Sequence, residues 1–252
     1  MQNAAEEQVL SQNLGQNAGA QANAPEIEAL FQAGAHLGYG KTRRHPKMRE
    51  YIFGTRNNVE IFDLERTLAK LTEAESFMRA LGEAGKLVLW VGTKSAAARH
   101  IEAIGTKLGH PYVSLRWLGG TITNFKIIGD RLNYWKKLEE ESRTGGLDKY
   151  VKKERTKKEI ELAKLTTAFH GLRNLKSTPD ALVIIDPKEE STALREAFKK
   201  DIPVVALLNS DSDPEGIDYL IPGNDNSSST ISIVLERLAS AYEAGLKEKQ
   251  NI

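Results

Sequence analysis

The segment best suited to bind another surface is residues 116–124, which read Arg-Trp-Leu-Gly-Gly-Thr-Ile-Thr-Asn. Its two adjacent glycines allow a sharp turn, while Arg116 offers a guanidinium fork for phosphate and Trp117 a broad flat ring. Catalysis by the threonines would need a neighbouring base, and the nearest in sequence is Lys126, a pairing of little specificity. We therefore expect this segment to bind rather than catalyse. Trp117 directly follows a predicted strand and fits core packing better than base stacking.

A second candidate is Gly92-Thr93-Lys94-Ser95, which follows a predicted strand and opens a predicted helix. Free backbone N–H groups at a helix start, together with a lysine, can hold a phosphate. The segment lacks the spaced glycines and the Gly-Lys pair of a nucleotide-binding loop. A nucleotide or phosphosugar site is one hypothesis for it. Two alternatives remain for this segment. It could only cap the helix that follows it, or it could contact a nucleic-acid phosphate through Lys94.

Carboxylates follow two further predicted strands and suggest a cation site. Asp186 follows one strand, and Asp211 and Asp213 follow another, so all three are expected at one edge of the sheet. Hard cations favour such ligands, and His36 would join them if its loop folded back. Asp-Pro and Asp-Ser steps are also common turn formers. We predict no cofactor and commit to no metal centre, keeping these four residues as the place where a structural divalent cation is possible.

Basic residues form two clusters. The loop after residue 38 carries Lys41, Arg43, Arg44, Lys47 and Arg49. Residues 148–158 hold six cations against two acids, namely Lys149, Lys152, Lys153, Arg155, Lys157 and Lys158. Such clusters attract the phosphates of a nucleic acid. The alternative for the second cluster is an ordinary solvated helix face.

The small net charge of +1 conceals a division along the chain. Residues 1–25 carry −2, residues 26–120 carry +4, residues 121–176 carry +6 and residues 177–252 carry −7. If this segregation persists in space, a polyanion contacts the first two thirds, and the acidic last third faces solvent or a basic protein. Scattered charge on the folded surface is the alternative.

The composition fits one large domain, or one domain with an excursion. The chain has 252 residues, 40% of them hydrophobic, and no cysteine, so disulfides and thiolate metal sites are excluded. A reducing, cytoplasmic setting is expected, because the sequence shows neither a membrane-spanning apolar run nor a signal peptide. Residues 1–25 are rich in Gln, Asn and Ala, and they are predicted to be a disordered tail.

Short apolar runs alternate with helical periods from residue 26 onward, the pattern of parallel strands joined by helices. A short helix is expected from about Pro25, with Gly34 as its stop. Runs such as Leu87–Val91 do not alternate with polar residues, so the strands should be covered on both faces. The predicted fold is an α/β, open, doubly wound parallel sheet. Predicted strands are 59–62, 87–91, 112–114, 181–185, 204–208 and 219–221, and predicted helices are 64–81, 95–108, 192–199 and 228–246.

The gap between the third and fourth predicted strands indicates an insertion at residues 124–176, between α/β segments 26–123 and 177–252. Apolar residues repeat there at spacings of 3, 4 and 3 on both sides of a turn near Gly145. Two antiparallel helices joined along these residues would form a coiled-coil hairpin. The first set is Phe125, Ile128, Leu132 and Trp135, and the second is Leu162, Leu165, Phe169 and Leu172.

From about residue 26 to residue 245 the chain resembles the family of the second protein of the small ribosomal subunit, in its bacterial form. The resemblance lies in seven segments in family order: residues 31–38, 44–48, 51–54, 89–94, 116–124, 179–182 and 221–225. It implies a flavodoxin-like sheet with a coiled-coil insertion, no enzymatic activity, a place at the junction of head and body, and contacts to small-subunit ribosomal RNA. The chain departs from the family at Tyr39, at 209–211 and after Asp225, so we carry no contact over to those positions.

The expected function is therefore that of a structural ribosomal protein which grips separate RNA segments with its basic loop and its hairpin. Expected partners are the RNA, neighbouring small-subunit proteins and, in some lineages, the multi-domain ribosomal protein that captures messenger RNA. No membrane contact is expected. Arg116 should pair with a phosphate or a backbone turn, and Lys94 with a phosphate. The alternatives are a nucleotide- or phosphosugar-binding enzyme using Gly92–Ser95 and a protein-interaction scaffold free of the ribosome.

Overall fold

The described part of the chain opens with a short helix. The computed structural model describes residues 24–250. The predicted disordered tail, residues 1–25, lies outside this range except for its last two residues, which are already helical. Helix α1 covers residues 24–32 of the described range, and Gly34 follows it with a positive φ of 79°. The expected stop at Gly34 is confirmed.

A small antiparallel sheet follows and corrects one prediction. Strands β1 (Leu37–Gly40), β2 (Ile52–Arg56) and β3 (Val59–Phe62) pair in the order β1-β3-β2. The prediction that 59–62 belongs to the parallel sheet is wrong, because this strand pairs with β1 and β2. Asn57 and Asn58 both have positive φ, the conformation of a two-residue hairpin turn. That turn pairs 59–62 with its own neighbour instead of with a distant strand.

The central sheet contains five parallel strands in the order β5-β4-β6-β7-β8. Each strand lies within one residue of its predicted bounds. The strands are β4 (Val88–Val91), β5 (Tyr112–Val113), β6 (Ala181–Ile185), β7 (Val204–Leu208) and β8 (Tyr219–Pro222).

Helices cover both faces of this sheet, as the unbroken apolar strands predict. Val88 and Trp90 pack in one core cluster with α2 (Leu64–Ala84), α3 (Ser95–Leu108) and α7 (Ser228–Gln250), whereas Leu89 and Val91 pack in a second cluster with α4 (Phe125–Arg143) and α6 (Ser191–Phe198). Successive residues of a strand point to opposite faces, so one run serves two cores. The helices are α2 (Leu64–Ala84), α3 (Ser95–Leu108), α4 (Phe125–Arg143), α5 (Lys152–Phe169), α6 (Ser191–Phe198) and α7 (Ser228–Gln250). Within residues 24–250, no helix is long and apolar enough to cross a membrane.

Helices α4 and α5 form the insertion, linked by a 3-10 turn at Gly146–Lys149. Trp135 is fully buried; its indole N–H donates to the Thr166 hydroxyl at 3.1 Å, and its ring lies 6.5 Å from that of Phe169. Ile128 and Leu132 belong to the same core cluster as the sheet. The insertion is therefore anchored in the sheet core through α4, while α5 contributes the buried Phe169 and the half-buried Leu162 and Leu165 to the same cluster.

Candidate nucleic-acid interface

Residues 41–49, which we call the amino-terminal basic segment, carry five cations that divide into two groups. Arg44 lies 3.2 Å from Glu60, a fully buried carboxylate, and Lys47 makes ion pairs with Asp213 and Glu215. The Glu215 hydrogen bond is the largest cause of the raised pKa of Lys47. Within residues 24–250, the other three cations make no ion pair and are exposed: Lys41, Arg43 and Arg49. These three are the cations of this segment that remain available to a phosphate.

In the structure, carboxylates of the protein already contact the polar groups of the Gly92–Ser95 turn. The Lys94 ammonium lies 3.0 Å from Asp186 and 3.4 Å from Asp225, and the Thr93 N–H donates to Glu190 at 2.7 Å. Burial lowers the pKa of Lys94, but the charges of Asp225 and Asp186 outweigh it, and the pKa is raised overall. A phosphate would have to displace these carboxylates against their charge. The geometry gives no support to a nucleotide site at this turn.

Asp225 is the most unusual of these carboxylates. Its residue is 1% exposed, one oxygen accepts the Asn209 side-chain N–H at 2.8 Å, and the other has no hydrogen-bond partner within the described residues. Burial, followed by the neighbouring charge of Asp186, raises the pKa of Asp225 to about 6. Asp225 lies in the loop that follows β8, which ends at Pro222. Because polar groups gather at the carboxyl ends of parallel strands, this position in the sequence marks Asp225 as a candidate site residue.

The four residues kept for a cation do not form a metal site. Within residues 24–250, no group of three His, Cys, Asp or Glu side chains is arranged to hold a metal ion. His36 stacks on Phe31 at 4.2 Å. The three carboxylates are each paired with a different lysine: Asp186 with Lys94, Asp211 with Lys188 and Asp213 with Lys47. Each of the three carboxylates thus has a lysine as its ion-pair partner, and this pairing does not favour a shared cation.

The 116–124 loop is organised by a residue that sequence reasoning missed. Glu196 on α6 is buried, and its carboxylate accepts the Trp117 indole N–H at 3.0 Å and the Gly120 N–H at 2.7 Å. It also accepts the Ile122 N–H and both the N–H and hydroxyl of Thr123, each at 3.0 Å. Burial raises the pKa of Glu196, but these hydrogen bonds outweigh it and leave the pKa lowered.

One signal in the sequence, together with the backbone of the loop, explains this arrangement. Glu196 shares a helical face with Ala193 and Ala197, so it is an acid on an otherwise apolar face of α6. Gly120 has a φ of 92°, which a residue with a side chain rarely adopts. Trp117 is buried, as its position after a strand predicts, whereas Arg116 is exposed. The loop is thus a rigid support that presents Arg116 at the surface.

The cations of the insertion are mostly free. Residues 124–176 contain 14 basic residues, of which Arg143, Lys149, Arg155 and Arg173 make ion pairs within the described residues. Ten make none, and most are exposed: Lys126, Arg131, Lys136, Lys137, Lys152, Lys153, Lys157, Lys158, Lys164 and Lys176. Arg155 is held between Asp148 (2.7 Å) and Glu159 (2.9 Å).

One aromatic ring organises part of this surface. The ammonium groups of Lys149 and Lys158 lie 5.2 Å and 4.5 Å from the Tyr150 ring, which holds them by cation–π attraction. Together with Lys152, Lys153 and Lys157 at the start of α5, they give an exposed cationic end to the insertion. We call residues 148–158 the basic tip.

Comparisons with known proteins show which family the chain belongs to. The family model described as Ribosomal protein S2 matches residues 30–245. The chain is 43% identical over 226 residues to the small ribosomal subunit protein uS2 of Dictyoglomus turgidum, covering 89% of this chain and 92% of that protein. It is 41% identical over 226 residues to uS2 of Roseiflexus sp. (90% and 86%) and 40% identical over 223 residues to uS2c of Cyanophora paradoxa (88% and 96%). The chain belongs to the Ribosomal protein S2 family.

Proposed function

We propose that this protein is a structural component of the small ribosomal subunit and that it binds ribosomal RNA through phosphate contacts from two separate surfaces. Membership of the Ribosomal protein S2 family is the observation that carries the first part, and it makes the chain a ribosomal protein rather than an enzyme. The second part is supported by the unequal distribution of unpaired cations described above.

The first surface is the amino-terminal basic segment. Lys41, Arg43 and Arg49 contact phosphates directly, because no carboxylate of the described chain competes for them. Arg44 and Lys47 contact the RNA only if phosphates replace or share their partners Glu60, Asp213 and Glu215. We therefore assign them the weaker part of this contact.

The second surface is the insertion, with its net charge of +6. Within the described part of the chain, Lys152, Lys153 and Lys157 of the basic tip make no ion pair, and Lys149, Arg155 and Lys158 add to the local field. Arg116 contributes a fork at the base of the insertion. Because a large folded RNA presents mainly backbone, recognition follows its shape and phosphate positions rather than its base sequence.

The arrangement of the chain supports its use as a rigid connection. An α/β domain built from 26–123 and 177–252 carries the insertion 124–176. The strand order β5-β4-β6-β7-β8 corresponds to the flavodoxin-like order 2-1-3-4-5, which supports that classification. The two apolar repeats of α4 and α5 support a coiled-coil hairpin. In our proposal, the two surfaces hold different RNA segments, and the protein braces the head and the body of the subunit.

Further partners follow from the same proposal. Neighbouring small-subunit proteins contact the part of the surface that RNA leaves free, and the acidic segment 177–252 suits a basic protein partner. The multi-domain ribosomal protein that captures messenger RNA is one candidate. A ribosomal location places the protein in the compartment where translation occurs, the cytoplasm in a bacterium. A divalent cation and a phosphate contact by Lys94 stay open proposals that the carboxylate pairing does not favour.

Fractionation of a cell lysate on a sucrose gradient tests the assignment. The protein should migrate with the small subunit at low ionic strength and leave it as salt rises, because phosphate contacts weaken with salt. Migration only at the top of the gradient would support a scaffold free of the ribosome. Micromolar binding of ATP, NAD or a sugar phosphate at Lys94 would instead support the enzyme alternative.

A further inference from the structure

A surface groove beside the 116–124 loop combines cations with an apolar wall. It has a volume of about 330 Å³ and lies between residues 115–119 and helix α5. Its walls include Leu115, Trp117, Leu118 and Ala168, and its cations are Arg116 and Lys164. No carboxylate lines this groove, whereas four other clefts in the described part of the chain each contain at least one. Its charge therefore suits an anion.

The donors of the groove are free. Within residues 24–250, Arg116 and Lys164 make no ion pair and no side-chain hydrogen bond. The backbone N–H groups of residues 115–119 likewise donate to no other described group. Unlike Lys94, this site has donors that no protein carboxylate has already occupied.

The loop that carries these donors is fixed before any ligand arrives. Glu196 holds Trp117 and Gly120 from the protein side, and the same carboxylate holds residues 122 and 123. A ligand that binds a fixed loop loses less free energy to ordering. On the groove side, Leu115 is 57% exposed, so its apolar side chain is accessible to a ligand beside the two cations.

We propose that this groove receives one unstacked nucleotide of the RNA, with its base against Leu115 and Ala168 and its phosphate between Arg116 and Lys164. This inference rests on the proposed function. A nucleotide uses both halves of the groove, because a base packs its flat aromatic face on apolar groups and its phosphate pairs with a guanidinium fork. An acidic peptide would use the cations and leave the apolar wall uncovered. The volume lies within the ordinary range of about 300–1,000 Å³ for ligand pockets.

Removing the two cations tests the phosphate contact. Small subunits depleted of this protein are titrated with the full-length chain and with the double variant Arg116→Ala, Lys164→Ala. We expect binding about tenfold weaker at moderate salt and a salt slope smaller by about one, since the two cations share one phosphate and each neutralised phosphate contributes about one. Lys199→Ala, Lys200→Ala is the matched control, because both residues are exposed cations in the acidic segment.

Filling the groove without changing charge tests the base contact. No described atom lies within 4 Å of the position where Gly119 would carry a Cβ, so Gly119→Leu should fold normally and obstruct the groove. We expect weaker binding with an unchanged salt slope, because stacking is lost and no phosphate contact is. Gly129→Leu is the control, since its Cβ would also meet open space but lies on α4, outside the groove.

Crosslinking identifies the occupant. A photoreactive amino acid at position 119 should crosslink to one nucleotide of the small-subunit RNA, and that nucleotide should become reactive to chemical probes in the Arg116→Ala, Lys164→Ala variant. A crosslink to protein, or unchanged reactivity in particles that still contain the variant, would overturn the nucleotide assignment alone. Failure of the wild-type protein to join the particles would instead overturn the proposed function.

Discussion

The Glu196 carboxylate accepts the indole N–H of Trp117 at 3.0 Å, across 79 positions of sequence. This contact joins helix α6 of the acidic segment to the loop at the base of the basic insertion. The same carboxylate also accepts backbone N–H groups of the loop. The conformation of the loop is therefore stabilised by Glu196, a residue that lies outside it.

Glu196→Gln tests this role. A glutamine places an NH₂ group among N–H donors and leaves at least one buried donor without an acceptor, which should lower the free energy of unfolding by about 3 kcal/mol. Urea unfolding followed by tryptophan fluorescence measures it, with Glu189→Gln, an exposed carboxylate just before α6, as control. Equal stability of the two variants would show that Glu196 does not organise the loop.

Asp225→Asn should give a stability change that depends on pH. In the folded protein the pKa of Asp225 is raised from 3.8 to about 6. The stability that its protonated form contributes is therefore complete below pH 3.8 and is lost as pH rises through about 6. The ionised group costs up to about 3 kcal/mol at pH 8, and the variant avoids this cost. The stability of the variant relative to the wild type should therefore rise between pH 4 and pH 8. A constant difference across that range would contradict the buried ionised carboxylate.

His110→Gln should show the opposite dependence. Burial lowers the pKa of His110 from 6.5 to about 4, so its contribution to stability is complete above pH 6.5 and is lost as pH falls through about 4. Glutamine retains an acceptor for the Trp90 indole N–H, which lies 3.4 Å from the His110 ring. Relative to the wild type, the variant should gain up to about 3 kcal/mol between pH 7 and pH 4. Parallel stability curves over this range would count against a buried neutral imidazole.

Gly245→Ala tests the packing of α7 on α2. A Cβ at Gly245 would collide with the backbone carbonyl oxygen of Arg79, and backbone cannot rotate away as a side chain can. The two helices would have to separate, at a cost of about 2–3 kcal/mol. Gly129→Ala is the control, because open space surrounds its Cβ position and alanine favours a helix. A thermal midpoint for Gly245→Ala as high as that of the control would refute the close approach.

The parallel sheet was predictable because its strands are unbroken apolar runs separated by helical periods. β6 (Ala181–Ile185) and β7 (Val204–Leu208) match their predicted bounds, and α3 (Ser95–Leu108) does as well. The antiparallel sheet was not predictable in this way, because β1 and β2 are short, mostly half-exposed and interrupted by glycines, and the hairpin turn at Asn57-Asn58 is a weaker signal than an apolar run.

The candidate site was predictable only in part, for an electrostatic reason. Sequence shows which segments are basic, so the charge of the insertion was visible. It does not show which cations are neutralised by distant acids: Lys47 meets Asp213, and Lys94 meets Asp225, each more than 100 residues away in sequence. Lys164 was overlooked for the converse reason, since only the fold brings it to the groove beside Arg116.

The central claim is that unpaired cations at the basic tip hold the protein on RNA. Lys152 and Lys153 lie in the first turn of α5, where glutamates are favoured, so Lys152→Glu, Lys153→Glu, Lys157→Glu should still fold. The control makes the same charge change in the acidic segment: Lys199→Glu, Lys200→Glu, Lys247→Glu.

The most direct test is the fraction of each variant that sediments with small subunits across a salt series. We predict that the basic-tip variant dissociates at moderate ionic strength, at which the control and the wild type remain bound. Identical dissociation curves for the two variants would contradict the account.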